Sequence, residues 1–208
     1  MENINIKEIL DYFKSGKFDI AKKETALLIK KFPNNHFLYN LFGAILAGQK
    51  KLDEAIISSP LGAIQVLGDE NGVQSILFLE DAKPFTEDIP KSLSIAVQEL
   101  TDYFTKKTKD FTFKLNPQGT EFQQKVWQQL CTIPFSKTSS YLDMAKALGD
   151  PKVIRAAASA NGKNPISIVI PCHRVIGSDG SMTGYTGGIW RKEWLLNHES
   201  AVTQGTLF

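Results

Sequence analysis

The hydrophobic and polar positions along the chain follow three patterns in turn. Residues 1–57 have the apolar spacing of helices, and residues 58–114 combine short alternating stretches with one helical stretch. Residues 115–208 hold several short helices and one apolar run. Strands and helices in separate stretches are typical of mixed α/β folds of the α+β type. We therefore predict three parts: a helical segment, a small mixed α/β domain, and a third domain rich in helices.

The first part contains an internal repeat. Lys17-Phe18-Asp19-Ile20-Ala21 recurs as Lys51-Leu52-Asp53-Glu54-Ala55, so that Ala55 follows Ala21 by 34 positions. Phe32-Pro33-Asn34-Asn35 lies at the predicted junction between helices. This period resembles the tetratricopeptide repeat. Because such repeats bury their faces against neighbours, a segment this short is predicted to be a docking or stabilising appendage, with a protein partner as one interpretation.

The junction between the first two parts has two interpretations. Residues 52–57 fit the start of a second repeat helix, whereas residues 56–59 fit an opening β-strand that turns at Pro60. We place the domain boundary near residue 57 and leave the local structure open.

The middle part carries signals for strands and one helix. Asn71-Gly72 is a hairpin turn signal, and it predicts a strand over residues 73–79. Apolar residues at helical spacing predict a helix over residues 93–105, and residues 111–115 alternate like a last strand. No group of chemically reactive side chains stands out in this part.

Capping residues mark three helix starts in the third part. They are Thr120 with Gln123, Ser140 with Asp143, and Asp150 followed by Pro151. Gly149 closes the second of these helices, so two short helices follow each other across a tight turn. This arrangement predicts a helix-turn-helix.

The second helix of that pair is rich in small residues. It spans residues 152–160 and has small side chains at five successive positions, 156–160, directly after Arg155. Small side chains let a helix approach another surface closely, either a neighbouring helix or a narrow groove. Few of its side chains are suited to hydrogen-bonding base edges, so minor-groove contact fits it better than major-groove readout.

Charge is unevenly distributed, although the formal net charge is only +2. Residues 58–114 carry six Lys against nine Asp or Glu, whereas residues 115–208 carry nine Lys or Arg against six acids. Any contact with a polyanion would therefore belong to the third part, although the excess is small and each single lysine fits an ordinary solvated surface as well. The chain has no long uncharged apolar segment, and Glu2, Lys7 and Glu8 do not resemble a signal peptide, so a cytoplasmic location is expected.

Cysteine usage limits the chemistry. Cys131 and Cys172 are the two cysteines, which argues against a disulfide framework. The three histidines are scattered singly, so no zinc site and no other cofactor is expected. Cys131 ends an amphipathic helix and is predicted to pack as an inert small side chain.

The strongest candidate for chemistry is Cys172-His173. The apolar run of residues 166–170 stops at Pro171, which predicts a buried strand that delivers the thiol and the imidazole to one edge of the core. A thiol reacts as its thiolate, so an adjacent base increases its nucleophilicity. Taken alone, the pair is better explained as a small buried hydrophobe beside a core histidine, and only the flanking residues reverse that preference.

The flanking residues resemble the O6-alkylguanine-DNA alkyltransferase family. They are Asn164-Pro165, Ile170-Pro171-Cys172-His173-Arg174-Val175-Ile176, Gly184-Tyr185-Thr186-Gly187-Gly188, Lys192-Glu193-Trp194-Leu195-Leu196 and His198-Glu199, with Gly119-Thr120-Glu121-Phe122-Gln123 and Val126-Trp127 upstream. The resemblance covers about residues 58–200 and is densest from residue 119 onward.

The resemblance implies DNA repair by direct reversal. An alkyl group on O6 of guanine, or on O4 of thymine, is expected to move irreversibly to Cys172, once per protein molecule. His173 is expected to act as the base through a water, and Glu199 to orient it. Tyr141 is expected to donate a proton to the departing oxygen, and Asn164 to hold the turn before the cysteine.

The resemblance also implies a DNA-binding surface and a base pocket. Arg155 is expected to fill the gap left in double-stranded DNA when the damaged base is flipped out. The other predicted DNA contacts are Lys152, Ala156, Ser159 and Ser140, and the predicted pocket residues are Tyr185, Thr186 and Val175. The chain departs from the family pattern at Ala158, which replaces a glycine, and at Thr186, which replaces a serine. The protein is expected to act as a monomer.

Two other functions fit part of the pattern. A related binding protein that marks lesions without removing the alkyl group would lack a cysteine at position 172. A cysteine hydrolase usually draws its histidine from a distant part of the chain, unlike His173. Trp190 and Trp194 lie four positions apart and are predicted to be core residues rather than base-stacking platforms.

Overall fold

The structure is a computed structural model that describes residues 6–38, 41, 52–81 and 83–200. It divides into two compact units, Met1–Leu52 and Asp53–Phe208. In the first unit, helices α1 (Ile6–Lys14) and α2 (Phe18–Lys31) pack around a small apolar cluster that includes Ile9, Ala21 and Leu41.

The sequence repeat takes two different conformations. Lys17 precedes helix α2, whereas the corresponding stretch from Asp53 onward forms strand β1 (Asp53–Ser59). The interpretation of residues 52–57 as the start of a repeat helix is therefore wrong, and the alternative strand, predicted over residues 56–59, is present but begins earlier, at Asp53. The physical reason is that β1 pairs along its whole length with β2 (Gly62–Asp69), from Asp53 opposite Gly68 to Ser59 opposite Gly62. Residues 42–51 lie outside the described part of the chain.

The sheet of the second unit is antiparallel in the order β1-β2-β3, with β3 at Gly72–Phe78. The predicted strand over residues 73–79 thus exists, but residues 111–115 do not form the predicted last strand. Leu115 makes one parallel bridge with Val73, and Ile166 makes another with Ile76. Since β3 begins at Gly72 and Leu115 pairs in parallel with Val73, residues 111–114 have almost no strand beside them to pair with.

Helices make up most of the rest of the unit, and the first of them packs against strand β1. They are α3 (Ser94–Phe104), which follows a 3-10 turn at Lys91–Leu93, α4 (Glu121–Leu130), α5 (Tyr141–Ala147), α6 (Ile154–Gly162) and α7 (Ile189–Glu199). The predicted capping boxes at Thr120 and Ser140 are both present. Gly149 has a left-handed φ of 95°, and Asp150 caps a 3-10 turn at Pro151–Val153 that leads into α6. Helices α5 and α6 pack together as expected of a helix-turn-helix.

The apolar run of residues 166–170 is a buried turn, so the predicted strand is wrong. The N–H of Ile170 bonds back to the carbonyl of Ile166, and Ile168 has a left-handed φ of 74°. A β-branched residue rarely adopts this conformation, and it costs about 1–3 kcal/mol. The run is apolar because Ile166, Ile168 and Ile170 are all buried in the core, a requirement that a turn meets as well as a strand.

A single apolar core joins all parts of the second unit, from Ile64 and Ile76 on the sheet to Leu195 on α7. The predicted α+β class is confirmed. The boundary predicted between residues 114 and 115 separates two stretches that share this core, and it stays a prediction. Among the described residues, no helix is both long and apolar enough to cross a membrane.

Candidate active site

Cys172 begins a 3-10 turn, Cys172–Arg174, and only 5% of its surface is exposed. The side-chain amide of Asn164 donates to its sulfur at 3.0 Å. Burial raises the pKa of the thiol, while this hydrogen bond and the Lys192 ammonium lower it less strongly. The resting thiol is therefore protonated, and it needs a base before it can act as a nucleophile.

Asn164 holds the turn that carries Cys172. Its Nδ2 also donates to the carbonyl of Ile170 at 2.8 Å, and its Oδ1 accepts from the N–H of Ile166 at 3.0 Å. One buried amide thus joins both ends of the 166–170 turn and contacts the sulfur, so the turn and the thiol are positioned together.

His173 is fully buried and pairs with Glu199, whose Oε1 lies 2.9 Å from Nε2 of the imidazole. Burial lowers the pKa of His173, and the nearby Glu199 opposes that shift only in part. The resting imidazole is therefore neutral, with its Nε2 proton donated to the carboxylate. Its Nδ1 has no hydrogen-bond partner among the described residues, which leaves this nitrogen able to accept a proton.

Glu199 is held by a buried arginine as well as by the histidine. Arg174 donates from Nε to Oε2 at 2.8 Å and from Nη2 to Oε1 at 2.9 Å, while its Nη1 donates to the carbonyl of Ile133 at 2.7 Å. Burial alone would raise the pKa of Glu199, but the hydrogen bonds from His173 and Arg174 outweigh it and lower the pKa to about 2. The carboxylate is ionised, and Arg174 balances its charge.

A cavity of about 530 Å³ lies next to this site. Its lining comes from the starts of α5 and α6, the end of α6 and the loop before α7: Tyr141, Ile154, Arg155, Ala158, Asn161, Gly162, Thr183, Gly184, Tyr185 and Thr186. Burial and the neighbouring Cys172 both raise the pKa of Tyr185, which places the phenol near the thiol. Of the predicted pocket residues, Val175 is fully buried in strand β4 (Val175–Ile176) and is not part of the lining.

Helix α6 uses its small residues on two sides. Ala157 and Ala160 are buried, and the carbonyl of Ala160 accepts from Trp127 Nε1 at 2.9 Å. The predicted DNA contacts Lys152, Arg155, Ala156 and Ser159 are all exposed. Ser140, also predicted to contact DNA, uses its hydroxyl to cap α5. One side of the helix is therefore packed against the core, and the other side is an exposed face of small side chains that carries one arginine.

Three buried polar side chains near the site were not predicted from the sequence. Besides Arg174, they are Lys192, whose Nζ donates to the carbonyls of Val175 at 2.7 Å and Thr183 at 2.9 Å, and Tyr103, whose hydroxyl donates to Glu199. A local sequence signal could not reveal them, because each partner of Tyr103 and Lys192 is nine or more positions away.

Two predictions about packing need correction. Cys131 is exposed rather than buried, because it follows the last residue of α4. Trp190 is 53% exposed and lies against the Arg191 guanidinium, whereas Trp194 packs as predicted, stacked on His198 at 4.6 Å. Within the described residues, no group of three or more His, Cys, Asp or Glu side chains is arranged to hold a metal ion.

A buried cysteine with a histidine–glutamate pair, beside a helix-turn-helix, defines a DNA-binding protein with a nucleophilic thiol. Residues 52–117 match the family described as 6-O-methylguanine DNA methyltransferase, ribonuclease-like domain. Residues 121–201 match 6-O-methylguanine DNA methyltransferase, DNA binding domain. The chain therefore belongs to the 6-O-methylguanine DNA methyltransferase family, and residues 1–51 lie outside both matches.

Individual relatives agree with this assignment. The methylated-DNA–protein-cysteine methyltransferase of Methanosarcina barkeri is 44% identical over 151 residues, which cover 69% of this chain and 94% of that protein. The protein of the same name from Mycobacterium bovis is 43% identical over 150 residues, covering 70% of this chain and 90% of that protein.

Solved structures show the same fold. The Mycobacterium tuberculosis O6-methylguanine methyltransferase matches with a TM-score of 0.66 at 40% identity, covering 75% of this chain and 97% of that one. Mycobacterium tuberculosis OGT in complex with DNA matches with a TM-score of 0.64 at 41% identity, covering 71% and 92% of the two chains.

Proposed function

We propose that this protein repairs DNA by moving the alkyl group from O6 of a damaged guanine to Cys172. The single observation that carries the proposal is the buried, hydrogen-bonded series in which Asn164 contacts the thiol and Glu199 orients the adjacent His173. The relatives are named for transfer to a protein cysteine, and one similar structure is a complex with DNA.

The transfer is an in-line substitution at the alkyl carbon. The thiol proton passes to Nδ1 of His173 through a bridging water, and Glu199 stabilises the imidazolium that forms. The sulfur then forms a bond to the alkyl carbon while the carbon–O6 bond breaks, and its electron pair goes to the oxygen. The protonated His173 then gives up this proton, and one proton is delivered to the nucleobase. The thiol proton thus replaces the alkyl group, and guanine is restored. The thioether has no easy leaving route, which makes the reaction a single turnover.

The cavity would receive the flipped base. Tyr141 begins helix α5 and lines the cavity, which suits its proposed role as a proton donor to the departing oxygen. Tyr185 and Thr186 line the same cavity, and the Thr186 hydroxyl fastens their loop to the carbonyl of Gly162 at 2.7 Å. Asn164 keeps its proposed role of holding the turn. O4-alkylthymine presents an alkyl carbon of the same kind, so we propose it as a second substrate.

Double-stranded DNA would lie across the exposed face of α6. Arg155 lines the cavity mouth, and it makes no ion pair with any described residue, so its guanidinium is available to enter the stack in place of the flipped base. Lys152, Ala156, Ser159 and Ser140 would contact the backbone nearby. We keep the sequence-based predictions that the protein works as a monomer in the cytoplasm, and that the first unit contacts another protein.

Cys172 also separates the proposal from its alternatives. A lesion-marking protein without transfer activity has no need of a thiol at the end of this hydrogen-bonded series. A cysteine hydrolase would release product repeatedly, since water regenerates its thiol.

Mass spectrometry of the intact protein after incubation with DNA containing O6-methylguanine tests the function. One added methyl group per molecule, located on Cys172 by peptide mapping, is the expected result. The matched control is Cys131→Ser, which should leave the yield unchanged. Repeated turnover, no adduct, or an adduct on Cys131 would overturn the proposal.

A further inference from the structure

We propose that Tyr103 is a positioning residue for alkyl transfer, whose hydroxyl fixes the Glu199 carboxylate against His173. Tyr103 lies on helix α3, 96 residues before Glu199, and its hydroxyl donates to Glu199 Oε1 at 2.9 Å. The inference rests on the proposed function, since it assigns a role in the same reaction.

The hydroxyl bonds to the carboxylate oxygen that carries the histidine. Oε1 accepts from Tyr103, from His173 Nε2 and from Arg174 Nη2, each at 2.9 Å. Oε2 accepts from Arg174 Nε, with the N–H of Ser136 more distant at 3.5 Å. Arg174 fixes the plane of the carboxylate from one side, and Tyr103 is the donor that approaches from a different helix. Together these two donors restrict rotation of the carboxylate that presents Oε1 to the imidazole N–H.

Tyr103 itself has little freedom to move. Its surface is 1% exposed, and its ring contacts those of His198 at 5.0 Å, Phe111 at 5.5 Å and Phe135 at 6.5 Å. Burial, followed by the adjacent Glu199 carboxylate, raises the pKa of the phenol, so it stays a neutral donor throughout the working pH range. Because the phenol is neutral and rigid, it can orient the Glu199 carboxylate without neutralising the negative charge of that carboxylate.

The position of Tyr103 also matters. Helix α3 precedes residue 115 and belongs to the same stretch of chain as the sheet. The thiol, the histidine and the glutamate all come from the stretch after residue 115. A cavity of about 320 Å³ adjoins Tyr103 and Glu199 on the side of Lys106, Lys109 and His198. Tyr103 and Glu199 both line that cavity, so the hydrogen bond between them lies beside its wall.

Several titratable or charged groups surround the pair formed by His173 and Glu199. They are Tyr103 on α3, Cys172 and Arg174 on the 3-10 turn, Lys192 and His198 on α7, Lys106 and Lys109 across the adjoining cavity, and Tyr185 in the loop before α7. Tyr103→Phe removes one donor from Oε1 and leaves these charges in place. More negative charge on Oε1 then favours the imidazolium, which raises the pKa of His173.

The test is a single-turnover assay with excess DNA carrying O6-methylguanine, run across a range of pH. The amplitude counts the protein molecules that fold and react, and the rate constant reports the chemistry of those molecules. For Tyr103→Phe, the amplitude should match that of the wild type, and the rate constant should fall about tenfold, as expected from loss of one hydrogen bond to a charged group. The acid limb of the pH–rate profile should move to higher pH, because the base must be neutral to accept the thiol proton.

Thr101→Val is the matched control. It also removes a hydroxyl from α3, but that hydroxyl bonds to the carbonyl of Val97 and lies on an exposed position. Its rate constant and pH profile should equal those of the wild type. Two results in Tyr103→Phe would overturn the role of Tyr103 and leave the proposed function standing. One is an unchanged rate constant with an unchanged midpoint of the acid limb, and the other is a lower amplitude with an unchanged rate constant. Failure of the wild-type protein to transfer would overturn the proposed function and this inference together.

Discussion

The Asn164 amide lies 3.0 Å from the sulfur of Cys172, and the same amide donates to the carbonyl of Ile170. The reactive atom and the backbone turn beneath it therefore share one hydrogen-bonding group. This relationship explains how a chain that adopts a left-handed conformation at Ile168 still presents its thiol in one position.

Replacement of Asn164 should affect stability and reactivity together. In Asn164→Ala the buried N–H of Ile166 and the carbonyl of Ile170 lose a partner, which should lower the free energy of unfolding by about 1–3 kcal/mol. Transfer should also slow, because the sulfur is no longer fixed. Urea unfolding and single-turnover rates measure the two effects. Gln118→Ala removes an exposed amide and should change neither; a stable, fully active Asn164→Ala would contradict the assignment.

Arg155 should matter for double-stranded DNA and not for the free base. Arg155→Ala removes the group proposed to fill the vacated stack, so transfer from a duplex should slow sharply, while transfer from O6-alkylguanine offered as a small molecule should be spared. Lys152→Ala, which removes an exposed charge close by, should weaken duplex binding in a salt-dependent way and leave the flipping step intact. Equal slowing on both substrates would show that Arg155 is a packing residue instead.

Cys172→Ser provides the complementary pattern. It should abolish transfer from duplex and free base alike, because a hydroxyl in the same position is a far weaker nucleophile. DNA binding should persist, since phosphate contacts from the basic surface supply most of the affinity. Gel-shift titration alongside the two rate assays separates binding from chemistry, with circular dichroism as the check on folding. Residual transfer by this variant would mean that another group accepts the alkyl.

The transfer rate should resist mild acid. Burial lowers the pKa of His173 below its ordinary 6.5, so the base stays neutral at pH values where an exposed imidazole is already charged. We expect the rate on the free base to hold constant from neutral pH to below pH 6.5 and to fall only at lower pH. Free O6-alkylguanine avoids any effect of pH on DNA binding. A midpoint above 6.5 would contradict the assignment of His173 as a buried neutral base.

Stability should decline in acid through the same groups. Glu199 has a pKa of about 2 in the folded protein against an ordinary 4.5, so its stabilising effect is complete above pH 4.5 and is lost as the pH falls toward 2. The lowered pKa of His173 acts in the same direction, beginning below pH 6.5. Urea unfolding at pH 7, 5 and 3 should show a progressive loss, and a pH-independent midpoint would refute this account.

The first unit should be dispensable for chemistry. The candidate site described above is built from residues of the second unit, and that unit has its own apolar core. Deleting residues 1–50 should keep the transfer rate on a short duplex within a few-fold of the full chain. A truncated protein that is folded by circular dichroism but inactive would disprove this independence.

Local signals in the sequence determined where several helices begin and which cysteine is the candidate nucleophile. The capping boxes at Thr120 and Ser140 depend on residues three positions apart, so the sequence alone fixes where α4 and α5 begin. The ordered motif around Cys172 identified the family and the candidate nucleophile. Small residues after Arg155 predicted a helix that can approach another surface closely.

The tertiary structure decided what depends on distant partners. Residues 53–59 form a strand because β2 supplies a hydrogen-bonding partner along their whole length. Residues 166–170 pair with β3 only at Ile166 and then turn, and the Asn164 amide bonds to both ends of that turn. An apolar pattern specifies burial but not which backbone conformation achieves it. Tyr103 reaches Glu199 across 96 residues. A buried charge selects its donors by position in space, and only the folded chain defines that position.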